Sequence, residues 1–192
     1  MDWLVRVFAA IAFFVAGASM LAAGENHVAF VPWEIIEPQD AVEAPLVLFW
    51  VPSAGDEVRH SDLLTSDELM LFSTRCVAMR IVRLTDDVRL AGLEAGTDLP
   101  VVVLADRMGQ VIGRVANRGG SLAVEEVEDL VRDELDRRAD EADELLDRAR
   151  ERSDDGAPDE AIALYQSVWE ERCVCPRQGR DAGRALRKLG RK

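Results

Sequence analysis

TDLPVVVLADRMGQVIGRV, residues 97–115, sets a proline, an apolar run, a glycine turn and a second apolar run in immediate succession. Val101 to Ala105 is continuously apolar, as a strand covered on both faces should be. Asp106 to Gly109 reads as a tight turn closed by a glycine, and Gln110 to Val115 as a second strand. The segment predicts a β-hairpin entered through Pro100.

Upstream, HVAFVPW (residues 27–33) alternates enough for a short edge strand. PLVLFWV (45–51) is an uninterrupted apolar run of strand length, which suits a central strand. TSDELMLFS (65–73) carries a capping box, with Thr65 as N-cap and Glu68 three positions on. CVAMRIVRL (76–84) reads as another strand, with Val77, Met79 and Ile81 on one face. TDDVRLAGLEAG (85–96) is a short helix or turn.

Downstream, Gly119 and Gly120 break the chain and Ser121 can cap the next element. The period then becomes helical. Val124, Val127, Val131, Leu135, Ala139, Ala142, Leu145 and Ala149 step by three or four, with acids preceding arginines at i,i+4, as in Glu134–Arg138. The pattern stops at SDDG. Pro158 opens a second helix through Ala161, Leu164, Tyr165, Val168 and Trp169. Cys173-Val174-Cys175-Pro176 breaks it. A basic third helix comes next, with Ala182, Ala185, Leu186 and Leu189 inward. Strand, helix, strand, short helix, hairpin and helix make an α/β protein with a mixed sheet and a C-terminal α-helical extension.

The bulk numbers agree with one domain plus an appendage. The chain has 192 residues, 48% of them apolar, and a formal charge of −13. Such an acidic chain is a poor binder of nucleic acid, which demands neutralised phosphates. Residues 1–24 have Arg6, an apolar run from Val7 to Ala23 and small residues at the end, the layout of a signal peptide or a short membrane anchor. Either places the rest in a periplasm or elsewhere outside the cytoplasm, in contact with membrane only through an uncleaved N-terminal segment. The abundance of arginine over lysine suits a bacterial source.

The element order resembles the thioredoxin-like fold, over about residues 25–135. Two stretches carry the resemblance. FWVPSAGDE (49–57) lies where that family has Phe-Trp-Ala-x-Trp-Cys-x-x-Cys, and Pro100 lies where it has a cis-proline before its hairpin. The resemblance puts Ala54 and Glu57 at the two cysteine positions. Alanine supplies no nucleophile and glutamate no resolving thiol, so dithiol exchange at this corner is excluded. What the resemblance leaves is a surface: Trp50, Pro52, Gly55 and Pro100 would frame a groove for an extended protein or peptide partner, without a cofactor. The plainer reading makes Trp50 a core residue and Pro100 a turn residue. Residues 136–192 resemble a single tetratricopeptide repeat with a trailing helix, Ala161 in the small and Tyr165 in the large position.

Sulfur remains at Cys76, Cys173 and Cys175. Cys173 and Cys175 could form an easily reduced pair serving a thiol-disulfide oxidoreductase, their thiols acidified by nearby arginines. Alternatively, Cys76 joins one of them in a structural disulfide, or the thiols are simply buried. Too few ligands accompany them for a zinc site. The acids between Glu125 and Asp147 read as a solvated helix face.

Overall fold

A computed structural model describes residues 30–37 and 40–190. The expected leader lies outside the described residues. Five strands form one mixed sheet: β1 (Glu34–Ile36), β2 (Leu46–Val51), β3 (Val77–Val82), β4 (Val101–Asp106) and β5 (Val111–Ala116), in the order β1-β3-β2-β4-β5. β3 runs parallel to β1 and β2, whereas β4 is antiparallel to β2 and β5. Helices α1 (Glu57–His60), α2 (Asp67–Ser73) and α3 (Asp87–Gly92) occupy the connections, and α4 (Val124–Asp154), α5 (Pro158–Glu170) and α6 (Pro176–Lys188) come after the sheet.

β2 is buried along its whole length, as its unbroken apolar run requires. Leu46, Leu48 and Trp50 point to the face covered by α2 and α4, while Val47, Phe49 and Val51 join the opposite core with Val101, Val103 and Leu93. The β4–β5 hairpin closes as expected. Asp106 Oδ1 accepts the amides of Met108 and Gln110 at 2.8 and 2.9 Å, and Gly109 takes φ +79°, a region costly for residues with a Cβ.

Three local expectations are corrected. The edge strand lies at Glu34–Ile36, not at residues 27–33. Residues 27–29 fall outside the described residues, and Phe30–Trp33 is held by other partners: the Val31 amide donates to Leu64 O, and the Trp33 indole to Leu63 O at 2.8 Å. The N-cap of α2 is Ser66, not Thr65; its hydroxyl accepts the Leu69 amide at 3.0 Å and donates to Glu128 on α4 at 2.6 Å. Ser121 does not cap α4, whose N-cap position is Ala123; its hydroxyl donates to Arg118 O instead.

α4 is one uninterrupted helix of 31 residues, so the boundary expected at 135/136 falls inside it. Val127, Val131 and Leu135 sit in the sheet-side core, and Ala142, Leu146 and Ala149 continue the stripe against α5 and α6. Leu146 rather than Leu145 is the fully buried leucine. None of the described helices is long and apolar enough to cross a membrane.

The junction between α5 and α6 is crowded. A Cβ on Gly179 would lie 2.3 Å from Arg172 Cβ and 2.6 Å from its Cα, and one on Gly183 would meet the Trp169 ring at 2.6 Å. Gly179→Ala meets backbone and Gly183→Ala the edge of a side chain, so the first should cost about 1–3 kcal/mol in urea unfolding and the second less.

Candidate functional site

The corner after β2 is built by local hydrogen bonding. Pro52 ends the strand without an amide donor. The Glu57 amide donates to Ala54 O at 3.3 Å, so residues 54 and 57 flank a single turn. Glu57 Oε2 accepts both the Ser53 amide and the Ser53 hydroxyl, each at 2.7 Å. The carboxylate at the second expected cysteine position thus fastens the turn. The helix beyond the turn is only four residues long; a 3-10 turn at Asp62–Leu64, begun by Ser61, separates it from α2.

The second half of the site comes from β4. Val51 is the register partner of Val101, so Pro52 and Pro100 lie side by side at the same end of two neighbouring interior strands. The Leu99–Pro100 peptide is cis. The four residues expected to frame a groove share this region but differ in exposure. Pro52 and Pro100 are buried and Gly55 is exposed. Trp50 has no exposed surface; it packs edge-on against Trp33, with ring centroids 5.5 Å apart. Its indole N–H is buried without a hydrogen-bond partner among the described residues. A ligand at this corner would therefore meet main chain at 53–56 and at the cis-proline, not an aromatic face. Beside it, Glu57, His60 and Asp62 face Gly120 and Leu122 across a cleft of about 210 Å³.

Ala54 offers no nucleophile, and the Glu57 carboxylate is already occupied by the Ser53 amide and hydroxyl. Among the described residues no group of three His, Cys, Asp or Glu side chains could hold a metal ion.

Sulfur is organised elsewhere. Cys173, between α5 and α6, is bonded to Cys76 at the start of β3, across 97 residues, and not to Cys175. Arg75 reinforces the junction, donating to Val174 O through Nε at 3.1 Å and Nη2 at 2.8 Å. Cys175 is a free, wholly buried thiol. Burial, joined by the Glu171 carboxylate, pushes its pKa up, against the opposing pull of Arg75 and Arg138. The expectation that arginines acidify this thiol is corrected, because desolvation outweighs them.

Glu134 belongs by sequence to the acidic, solvated face, yet it is buried, with a side chain only 3% exposed. Arg137 grips it through two nitrogens at 2.7 Å and Arg138 through Nε at 2.7 Å. Arg138 reaches on to Glu171, which also pairs with Arg107 in the hairpin turn at 2.6 Å. Desolvation alone would raise the Glu134 pKa, but the hydrogen bonds from Arg137 and Arg138 hold it below its ordinary value. The sequence carries the signal: Glu134 is three residues from Val131 and seven from Val127, within the buried stripe.

The chain matches no protein-family model, and no curated protein matches its sequence closely enough to count as a relative.

The oxidised protein should show one thiol, unreactive toward Ellman's reagent until unfolded, and reducing Cys76–Cys173 should cost about 2–4 kcal/mol of stability. Because the Glu134 pKa is depressed by folding, the native state binds fewer protons than the unfolded state in acid. The stabilisation is complete above the ordinary glutamate value of 4.5 and lost as the pH falls through the folded-state value. Glu134→Gln should cost about 2–4 kcal/mol at neutral pH and flatten the loss of stability in acid, read from urea unfolding across a pH series.

Proposed function

We propose that this chain is an exported, thioredoxin-like protein without a dithiol site, a non-catalytic module that binds an extended protein or peptide segment. The observation that carries the reading is the register pair Val51–Val101, which sets the Pro52–Glu57 corner against the cis Leu99–Pro100 peptide. The sequence resemblance requires that juxtaposition, and the mixed sheet order is compatible with it. Peptide capture beside a cis-proline uses main-chain pairing and needs no thiol. Ala54 and Glu57, flanking one turn where the family carries sulfur, remove exchange while keeping the frame.

The three C-terminal helices are the second contact surface of the adaptor. In the tetratricopeptide-like reading, Gly156 turns the chain at φ +76° between α4 and α5, Ala161 fills the tight contact and Tyr165 the wide one. One such repeat cannot form a solenoid by itself, so it stacks on the sheet unit instead. Export accords with a disulfide, which persists in oxidising compartments.

The native chain should not reduce insulin in the presence of dithiothreitol above the uncatalysed rate. Thiol-dependent turnover abolished by Cys173→Ser would overturn the adaptor reading in favour of an oxidoreductase. The frame itself is tested by restoring sulfur. Ala54→Cys/Glu57→Cys should form a second disulfide and gain insulin-reducing activity, whereas two thiols that neither pair nor exchange would reject the thioredoxin-like corner.

A further inference from the structure

Beyond the corner, and independent of it, α4, α5 and α6 enclose a cleft of about 340 Å³. Arg150 and Ser153 reach it from the last turns of α4, Tyr165 from the middle of α5, and Arg184 and Lys188 from the end of α6. Its hydrogen-bonding inventory is unbalanced. Tyr165 is 6% exposed, more than nine-tenths buried, and its hydroxyl has no partner among the described residues. Burial raises the Tyr165 pKa, the nearby Arg150 opposing and Asp154 assisting, so the phenol stays protonated at neutral pH. The Ser153 and Lys188 side chains also line the cleft and have no side-chain partner among the described residues, although the Ser153 carbonyl accepts the Gly156 amide. Arg150 pairs with Asp147, and Arg184 with Asp181 through Nη2 at 2.6 Å, which leaves other guanidinium donors of each fork unused. Among the described residues the only carboxylate lining the cleft is that of Asp181, already engaged.

Cations in the last turns of α4 and α6 offset the negative helix ends, which accounts for their sign. It does not account for two hydroxyl donors lining the same space. Asp154 lies near enough to act on Tyr165 but does not line the cleft, so among the described residues the lining itself offers no free anionic acceptor. We propose that it binds a small ligand through a compact oxyanion, phosphate or carboxylate, with Arg184, Lys188 and the Tyr165 hydroxyl as its donors and Arg150 and Ser153 completing the wall. Charge-assisted bonds from guanidinium and ammonium suit both groups.

Tyr165 is the only tyrosine of the chain, so its resonance reports on the cleft alone. The full chain, labelled with 13C-tyrosine and held in non-ionic detergent, is titrated with inorganic phosphate and separately with acetate, at ionic strength fixed by chloride. A saturable shift of the Tyr165 signal is expected, with phosphate or acetate showing which oxyanion is preferred. Arg184→Gln/Lys188→Gln should weaken that binding by roughly tenfold or more. Arg180→Gln/Arg187→Gln, which removes two exposed cations of α6 that do not line the cleft, should leave it unchanged. No saturable shift with either anion overturns the proposal. So does an equal loss in the two double variants, which would mean general charge attraction.

Discussion

The bond between Cys76 and Cys173 is the constraint on which the arrangement of sheet and helices depends. α4 leaves the sheet as a single rod, α5 packs along it, and α6 packs mainly on α5. The chain touches the sheet unit again at residues 171–175. There the disulfide, the two bonds from Arg75 to Val174 O and the ion pairs of Glu171 with Arg107 and Arg138 meet within five residues. A covalent link across so long a stretch removes much freedom from the unfolded chain. The polar contacts beside it fix orientation. Val174 and Cys175, without exposed surface, close the junction with apolar contact.

This placement of sulfur gives the molecule its chemical character. The corner after β2 sets a tight turn beside a cis-proline, and the Glu57 carboxylate there is bound to its own turn. The two bonded cysteines serve architecture, and the third is desolvated into inertness. The surfaces proposed for recognition lie elsewhere: main chain at the corner, and a donor-rich cleft among the helices.

Much of this is legible in the sequence. β2, β4 and the hairpin turn are readable because continuous burial leaves continuous apolar runs, and because Asp106 and Gly109 carry their own turn chemistry. The third helix is readable from Ala182, Leu186 and the spacing between them. Strand β1 is not, because its three residues are placed by pairing with β3, a long-range partner that local alternation does not encode. Thr65 and Ser66 differ by one position, and only the fold decides which hydroxyl reaches the helix amides. Trp50 suits core and groove equally by sequence; the packing of Trp33 against it decides for the core. The cleft around Tyr165 joins residues from three helices and has no contiguous motif. Its parts read separately, as a repeat-like aromatic position and a basic tail.

The decisive measurement is amide hydrogen exchange of the full chain with Cys76–Cys173 intact and reduced. If residues 171–175 are the clasp, reduction accelerates exchange in α5 and α6 while β2 and β4 keep their protection. Equal loss of protection in β2, β4, α5 and α6, or no change in α5 and α6, would contradict this account.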